Sequence, residues 1–170
     1  MEISPTAWQV ISNLLVFGGI CTAVLTIRFN VKMARKTQTA TFLFESRKDS
    51  EYIDGLHTLR RVRDSGKSFR SYVFPVAENL SKDENYEGRK IQYILNFYER
   101  MAVSIRAGIY EENMLKQASY TTVIDTYETA EPLIKALREK LRTSLTYQEF
   151  EWLHKRWKNK PLKNNKTIKQ

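Results

Sequence analysis

Asn96, Glu99 and Arg100 crowd one turn of the run LNFYER, and an amide, a carboxylate and a guanidinium so close together can serve either catalysis or structure. At a spacing of three, Asn96 and Glu99 share a helix edge beside an apolar stripe. A carboxylate there is either a general acid or base with a shifted pKa, or an acceptor that clamps a neighbouring helix and pairs with Arg100 or Arg106. The polar clamp is the expectation, because nothing in the sequence completes a catalytic set. His57 has no Cys, His or acidic partners at metal-ligand spacing, and His154 lies in a cationic helix end. Cys21 is the only cysteine and sits inside an apolar run, so no intrachain disulfide or thiolate cluster can form. The chain contains no H-E-x-x-H, no nucleophile elbow and no glycine-rich phosphate loop. The expectation is therefore a protein without catalytic residues, metal or cofactor, and not an enzyme.

The elements that would hold such a clamp are read from hydrophobic spacing. In RKIQYILNFYERMAVSIRAG, the residues Ile91, Ile94, Leu95, Tyr98, Met101, Ala102 and Ile105 recur as on a helix burying one face, and Gly108 stops it. Before it, Asp49 or Ser50 caps a helix through SEYIDGLHTLRRVRDSG that ends at Gly66, and Lys67 to Gly88 reads as a loop with short turns around Pro75. After it come a short helix, EENMLKQA, and a second, TTVIDTYETAEPLIKALREKLRTS, in which Pro132 marks a kink or a fresh start. A capping box of Thr146 and Glu149 announces the last helix, with Phe150, Leu153 and Trp157 on its apolar face. No alternating runs at hairpin spacing appear. The body reads as an all-α bundle of five or six helices.

The amino-terminal segment differs in kind. Ala7 to Ile27 carries no charge, and as a helix it spans about 31 Å, the thickness of a bilayer's hydrocarbon core. Its ten Val, Ile, Leu and Phe residues favour insertion by about 4 kcal/mol before the polar residues Gln9, Ser12 and Asn13 are counted. No basic region precedes the run and no small-residue cleavage site follows it, so a retained anchor fits better than a cleaved signal. Arg28, Lys32, Arg35 and Lys36 follow directly as a membrane-surface cluster. The positive-inside rule then places the body in the cytoplasm of a cell with the span in its inner membrane. Gly19 and Ala23, four residues apart, supply a small-residue face for self-association. The boundaries implied are an anchor at 1–28, a stem helix at 29–48, a helical domain at 49–158 and a disordered basic tail at 159–170.

The formal charge of +9 is concentrated in two places. Residues 37–154 hold 17 bases and 18 acids, so the excess sits in the four cations after the span and in the tail residues Lys155, Arg156, Lys158, Lys160, Lys163, Lys166 and Lys169. A nearly neutral body argues against a nucleic-acid-binding fold. The tail alone would make only a weak, salt-sensitive, sequence-blind contact with phosphates. Its last dozen residues reach at most about 40 Å, so lipid contact is expected only if the body folds back along the stem. The partners expected are membrane lipid, a second copy of the chain and an unidentified protein, with nucleic acid as the less favoured alternative.

Within YILNFYERMAVSIRAGIYEENML, Leu95, Asn96, Phe97 and Glu99, with Tyr98 at the second aromatic position and Gly108 beyond, resemble the L-N-F-F-E-like motif of the domain of unknown function 4760 family. The threonine-rich KTQTATFLFES and the terminal EFEWLHKRW are similar to the family's juxtamembrane and last helices. The resemblance covers most of residues 30 to 158. It implies one amino-terminal membrane helix, a helical body and a bacterial or phage source, and it implies no activity.

Overall fold

The computed structural model describes residues 5–76 and 79–162. The elements are α1 (Pro5–Ser46), α2 (Ser50–Asp64), a single 3₁₀ turn (Phe69–Tyr72), α3 (Lys82–Arg106), α4 (Glu112–Leu141) and α5 (Gln148–Asn159). The chain is all-α, one long apolar helix followed by a small bundle.

No glycine or proline interrupts α1 between Gly19 and its end at Ser46, so one helix runs through the boundary between anchor and stem. From Trp8 to Ile27 its large apolar side chains face outward, Trp8 at 64%, Leu15 at 71% and Leu25 at 65% exposure. A core helix would bury these residues. Instead, α1 is long and apolar enough to cross a membrane, and none of its apolar window is covered by the bundle. Only from Thr39 onward does α1 pack, with Phe42 and Leu43 against the core.

Asp49 caps α2 by accepting the Tyr52 N–H at 3.0 Å, and its second oxygen accepts the Tyr93 hydroxyl at 2.7 Å, so one carboxylate starts α2 and pins it to α3. Gly66, at φ +70°, closes α2. The chain turns helical again at Lys82, earlier than the apolar spacing indicates. Ser81 and Glu84 form a reciprocal capping box there, satisfying two orphan N–H groups. The two expected helices after Gly108 are one, α4. Pro132 lies at an exposed position inside it, and buried Tyr127 and Ala130 on one side and Leu133, Ile134 and Ala136 on the other hold both halves in the core. Burial of that many side chains offsets the cost of about 3 kcal/mol for an interior proline. The bundle thus has fewer and longer helices than expected.

The core centres on α3, whose Ile91, Ile94, Leu95, Tyr98, Met101 and Ala102 are all buried. It meets α2 on one side, and α5, through Phe150, Leu153 and Trp157, on the other. Lys90 is buried at the α2 contact, donating to Glu51 at 2.8 Å and Asp54 at 3.3 Å. Gly55 makes this closeness possible: a Cβ there would lie 2.3 Å from Ile94 Cγ1 and 2.8 Å from the Lys90 carbonyl oxygen. Gly55→Ala should destabilise the bundle by about 1–3 kcal/mol through overpacking, despite a gain of about 1 kcal/mol in helix propensity. Chemical denaturation in detergent checks this, and a stabilised variant would show that α2 can move off α3 freely.

Candidate functional site

Glu99 occupies the side of α3 that faces the beginning of α5. Its Oε2 accepts the Phe150 N–H at 2.7 Å and its Oε1 accepts the Glu149 N–H at 3.3 Å. A helix start leaves such N–H groups without intrahelical partners, and negative charge is favoured there. Glu99 thereby does across two helices what an N-cap residue does within one. The expected box of Thr146 and Glu149 is absent for this reason: α5 starts after Tyr147, whose φ is +57° and whose side chain makes no capping bond. Glu149 turns instead to Arg106, which donates to both its oxygens at 2.8 and 2.9 Å. Asn96 and Arg100 are exposed on α3 and do not join the contact. Burial pushes the Glu99 carboxyl above its ordinary value, against the two N–H bonds that hold it down.

The second junction is where α1 meets the bundle. The buried Thr39 hydroxyl donates to the Arg35 carbonyl at 2.8 Å and accepts the Glu111 N–H at 2.8 Å. Glu111 is the N-cap of α4, its carboxylate accepting the Met114 N–H at 2.8 Å. Phe42 stacks on Phe97 at 5.2 Å and lies 4.9 Å from Tyr110. Gly108, at φ +71°, leaves room for Arg35, whose guanidinium would come 3.2 Å from a Cβ at that position. The turn between α3 and α4 is therefore the end of the bundle that faces the apolar part of α1. Neither the Thr39 bridge nor the Arg35 contact is legible in spacing alone, although three threonines within five residues mark the place.

α5 runs antiparallel to α4 and finishes at this same end. Arg156 donates to both oxygens of Glu112 at 2.7 and 2.9 Å, Trp157 Nε1–H donates to Glu112 at 3.2 Å, and Lys116 Nζ donates to the Lys160 carbonyl. The described chain therefore ends, at Leu162, on the side of the bundle where α4 begins. Lys163, Lys166 and Lys169 lie outside the described residues. Of the tail cations inside α5, Lys155 pairs with Glu151 at 2.5 Å and Lys158 with Glu128 at 2.7 Å, as Arg156 does with Glu112. In the LRRVR run, Arg61 pairs with Glu87 at 3.2 Å and Arg63 with Asp64 at 3.0 Å and Asp125 at 3.2 Å.

Arg28, Lys32 and Lys36 are exposed on α1, as are Gly19 and Ala23, and Gly19 has no neighbour within 4 Å of an added Cβ. Among the described residues no group of three or more His, Cys, Asp or Glu could hold a metal ion. His57 is exposed in a surface hollow with Asp54, Arg61 and Lys90. His154 is buried, stacked on Tyr127 at 4.3 Å, with Nε2 3.4 Å from Glu128 and Nδ1 without a hydrogen-bond partner. That geometry suits a proton on Nε2 donated to Glu128.

An apolar helix docked through a threonine-rich turn onto an all-helical body, with an acidic residue of α3 holding the last helix, defines a class of one long apolar helix plus a bundle. The chain belongs to the family described as Domain of unknown function (DUF4760), whose model it matches over residues 13–157. No curated protein and no solved structure matches it.

Glu99→Ala strands two N–H groups at the α5 start and should cost about 1–3 kcal/mol, whereas Glu99→Gln, which keeps an acceptor, should cost less. Emission from buried Trp157 during denaturant unfolding reads both, and equal stability of Glu99→Ala and wild type would show that the cap is dispensable. Acid should act on the α4–α5 seam. Arg156 holds Glu112 below the ordinary carboxylate value of 4.5, and Lys158 with His154, and Lys155 with Arg138, do the same for Glu128 and Glu151. Carboxylates lowered on folding contribute stability that is present above the unfolded value and lost as pH falls through the folded one. The melting temperature should therefore drop on acidification below about pH 4.5, and Glu112→Gln should flatten that dependence. A melting temperature that stays level from neutral pH into the acid range would count against this seam.

Proposed function

We propose that the chain is a single-pass inner-membrane protein whose bundle lies in the cytoplasm and works as a non-enzymatic interaction or regulatory module. The observation that carries the reading is the continuity of α1. Its uncovered apolar length leads without a break into the stretch that docks at Thr39, with Arg28, Lys32, Arg35 and Lys36 directly after the apolar run. Both oxygens of Glu99 are occupied by the α5 backbone, which supports a scaffolding role for the family motif rather than a catalytic one. The open face of α1 at Gly19 and Ala23 fits a second copy of the chain. A bacterial or phage source, with a role in phage, prophage or host-defence processes, rests on the family resemblance alone. The alternative, a membrane-tethered nucleic-acid binder acting through the tail, has less support, because Arg61 and Arg63 of the LRRVR run and Lys155, Arg156 and Lys158 of α5 are tied to carboxylates.

Alkaline carbonate should leave the full chain in the membrane pellet. Protease added to intact spheroplasts should spare the body and degrade it only after permeabilisation. Release by carbonate would refute the anchor, and cleavage in intact spheroplasts would refute the orientation. Steeply salt-dependent retardation of DNA by the detergent-solubilised chain, lost on deleting 159–170, would favour the alternative.

A further inference from the structure

We propose that the end of the bundle facing the span, made of the α3–α4 turn, the first turn of α4 and the end of α5, is seated on the bilayer and binds anionic lipid headgroups. The inference rests on α1 being a membrane anchor and asks what that anchor does to the body.

Distance comes first. From Ile27, the last residue of the apolar run, to Arg35, whose guanidinium covers Gly108, α1 rises about 12 Å. The headgroup layer on one side of a bilayer takes up about 5–8 Å of that. Glu111, in the turn, borders the same surface hollow as Ile27, Arg28, Val31, Lys32 and Arg35. The bundle is thus not raised on a stalk. Its lower surface begins with Glu111, which borders the hollow beside Ile27 and Arg28 while its backbone stands at the level of Thr39.

Charge comes second. The two acids of this end are already committed, Glu111 to the Met114 N–H and Glu112 to Arg156 and Trp157. Arg28, Lys32, Arg35, Lys36, Lys116 and Lys160 have no carboxylate oxygen within 4.0 Å among the described residues. Unneutralised cations next to a leaflet are drawn to anionic lipid, and the anchor holds their local concentration high. Two exposed apolar side chains belong to this end, Ile109 on the turn at 47%, beside Thr37, Gln38 and Thr41 of α1, and Leu162 beyond α5 at 37%. Exposed apolar side chains on a cationic surface suit the boundary between headgroups and acyl chains.

The test uses the full chain with Cys21→Ser, reconstituted in nanodiscs of phosphatidylcholine alone or mixed with phosphatidylglycerol. A spin label on Ile109→Cys reports depth, and one on Phe17→Cys reports the span. The Ile109 label should read headgroup depth in the anionic bilayer, with accessibility to a water-soluble nickel chelate falling severalfold against phosphatidylcholine. The double change K32E and K160E, at two exposed side chains, should return it to water in both lipids. An aqueous Ile109 label in both lipids, with the Phe17 label in the hydrocarbon, overturns the seat and leaves the anchor standing. The same headgroup depth in both lipids, unmoved by charge reversal, overturns the recognition of anionic lipid. An aqueous Phe17 label would instead remove the anchor on which the inference depends.

Discussion

The Thr39 hydroxyl is where two incompatible environments are joined. On one side is an apolar helix that water disfavours; on the other is a nearly neutral, water-compatible bundle. The hydroxyl donates to its own helix and accepts the N–H that opens α4, so both helices are satisfied by one buried oxygen. An unpaired N–H at that depth would be costly, which fixes the register of α1 against the turn at Gly108. Phe42, one helical turn further on, then falls between Phe97 and Tyr110. The aromatic packing follows from the polar bridge.

Within the bundle, polar groups repeatedly act across helices rather than within them. Asp49 starts α2 and holds Tyr93 of α3, Glu99 of α3 starts α5, and Glu112 of α4 fastens Arg156 and Trp157 of α5. Asp49 serves a local need and a long-range one together, while Glu99 and Glu112 serve the neighbouring helix alone. The body is nearly neutral in total, 17 bases against 18 acids over residues 37–154.

Much of this was legible in the residues. The apolar period of α3, the uninterrupted run of α1 and the cap at Asp49 are local signals, and local signals survive in sequence. What misled was competition between local and distant partners. T-Y-Q-E has the spacing of a self-capping start, yet Glu99 lies fifty residues away and wins the N–H groups. Pro132 reads as a break because sequence does not reveal that both flanks are buried. The Ser81 and Glu84 box was present in the letters but hidden among polar loop residues. For the candidate site, Glu99 could be singled out as a polar contact on α3, whereas its recipient, and the idleness of Asn96 and Arg100 there, depended on tertiary geometry.

α1 carries no glycine or proline between Gly19 and its end, and it is bolted to the bundle at Thr39 and Phe42. Such a helix behaves as an axle. A rotation imposed on it within the bilayer would be delivered to the bundle as a swing about the membrane normal, bringing a different flank to face any neighbour. In the proposed membrane arrangement, the direction in which the domain points is set by what grips the helix in the lipid.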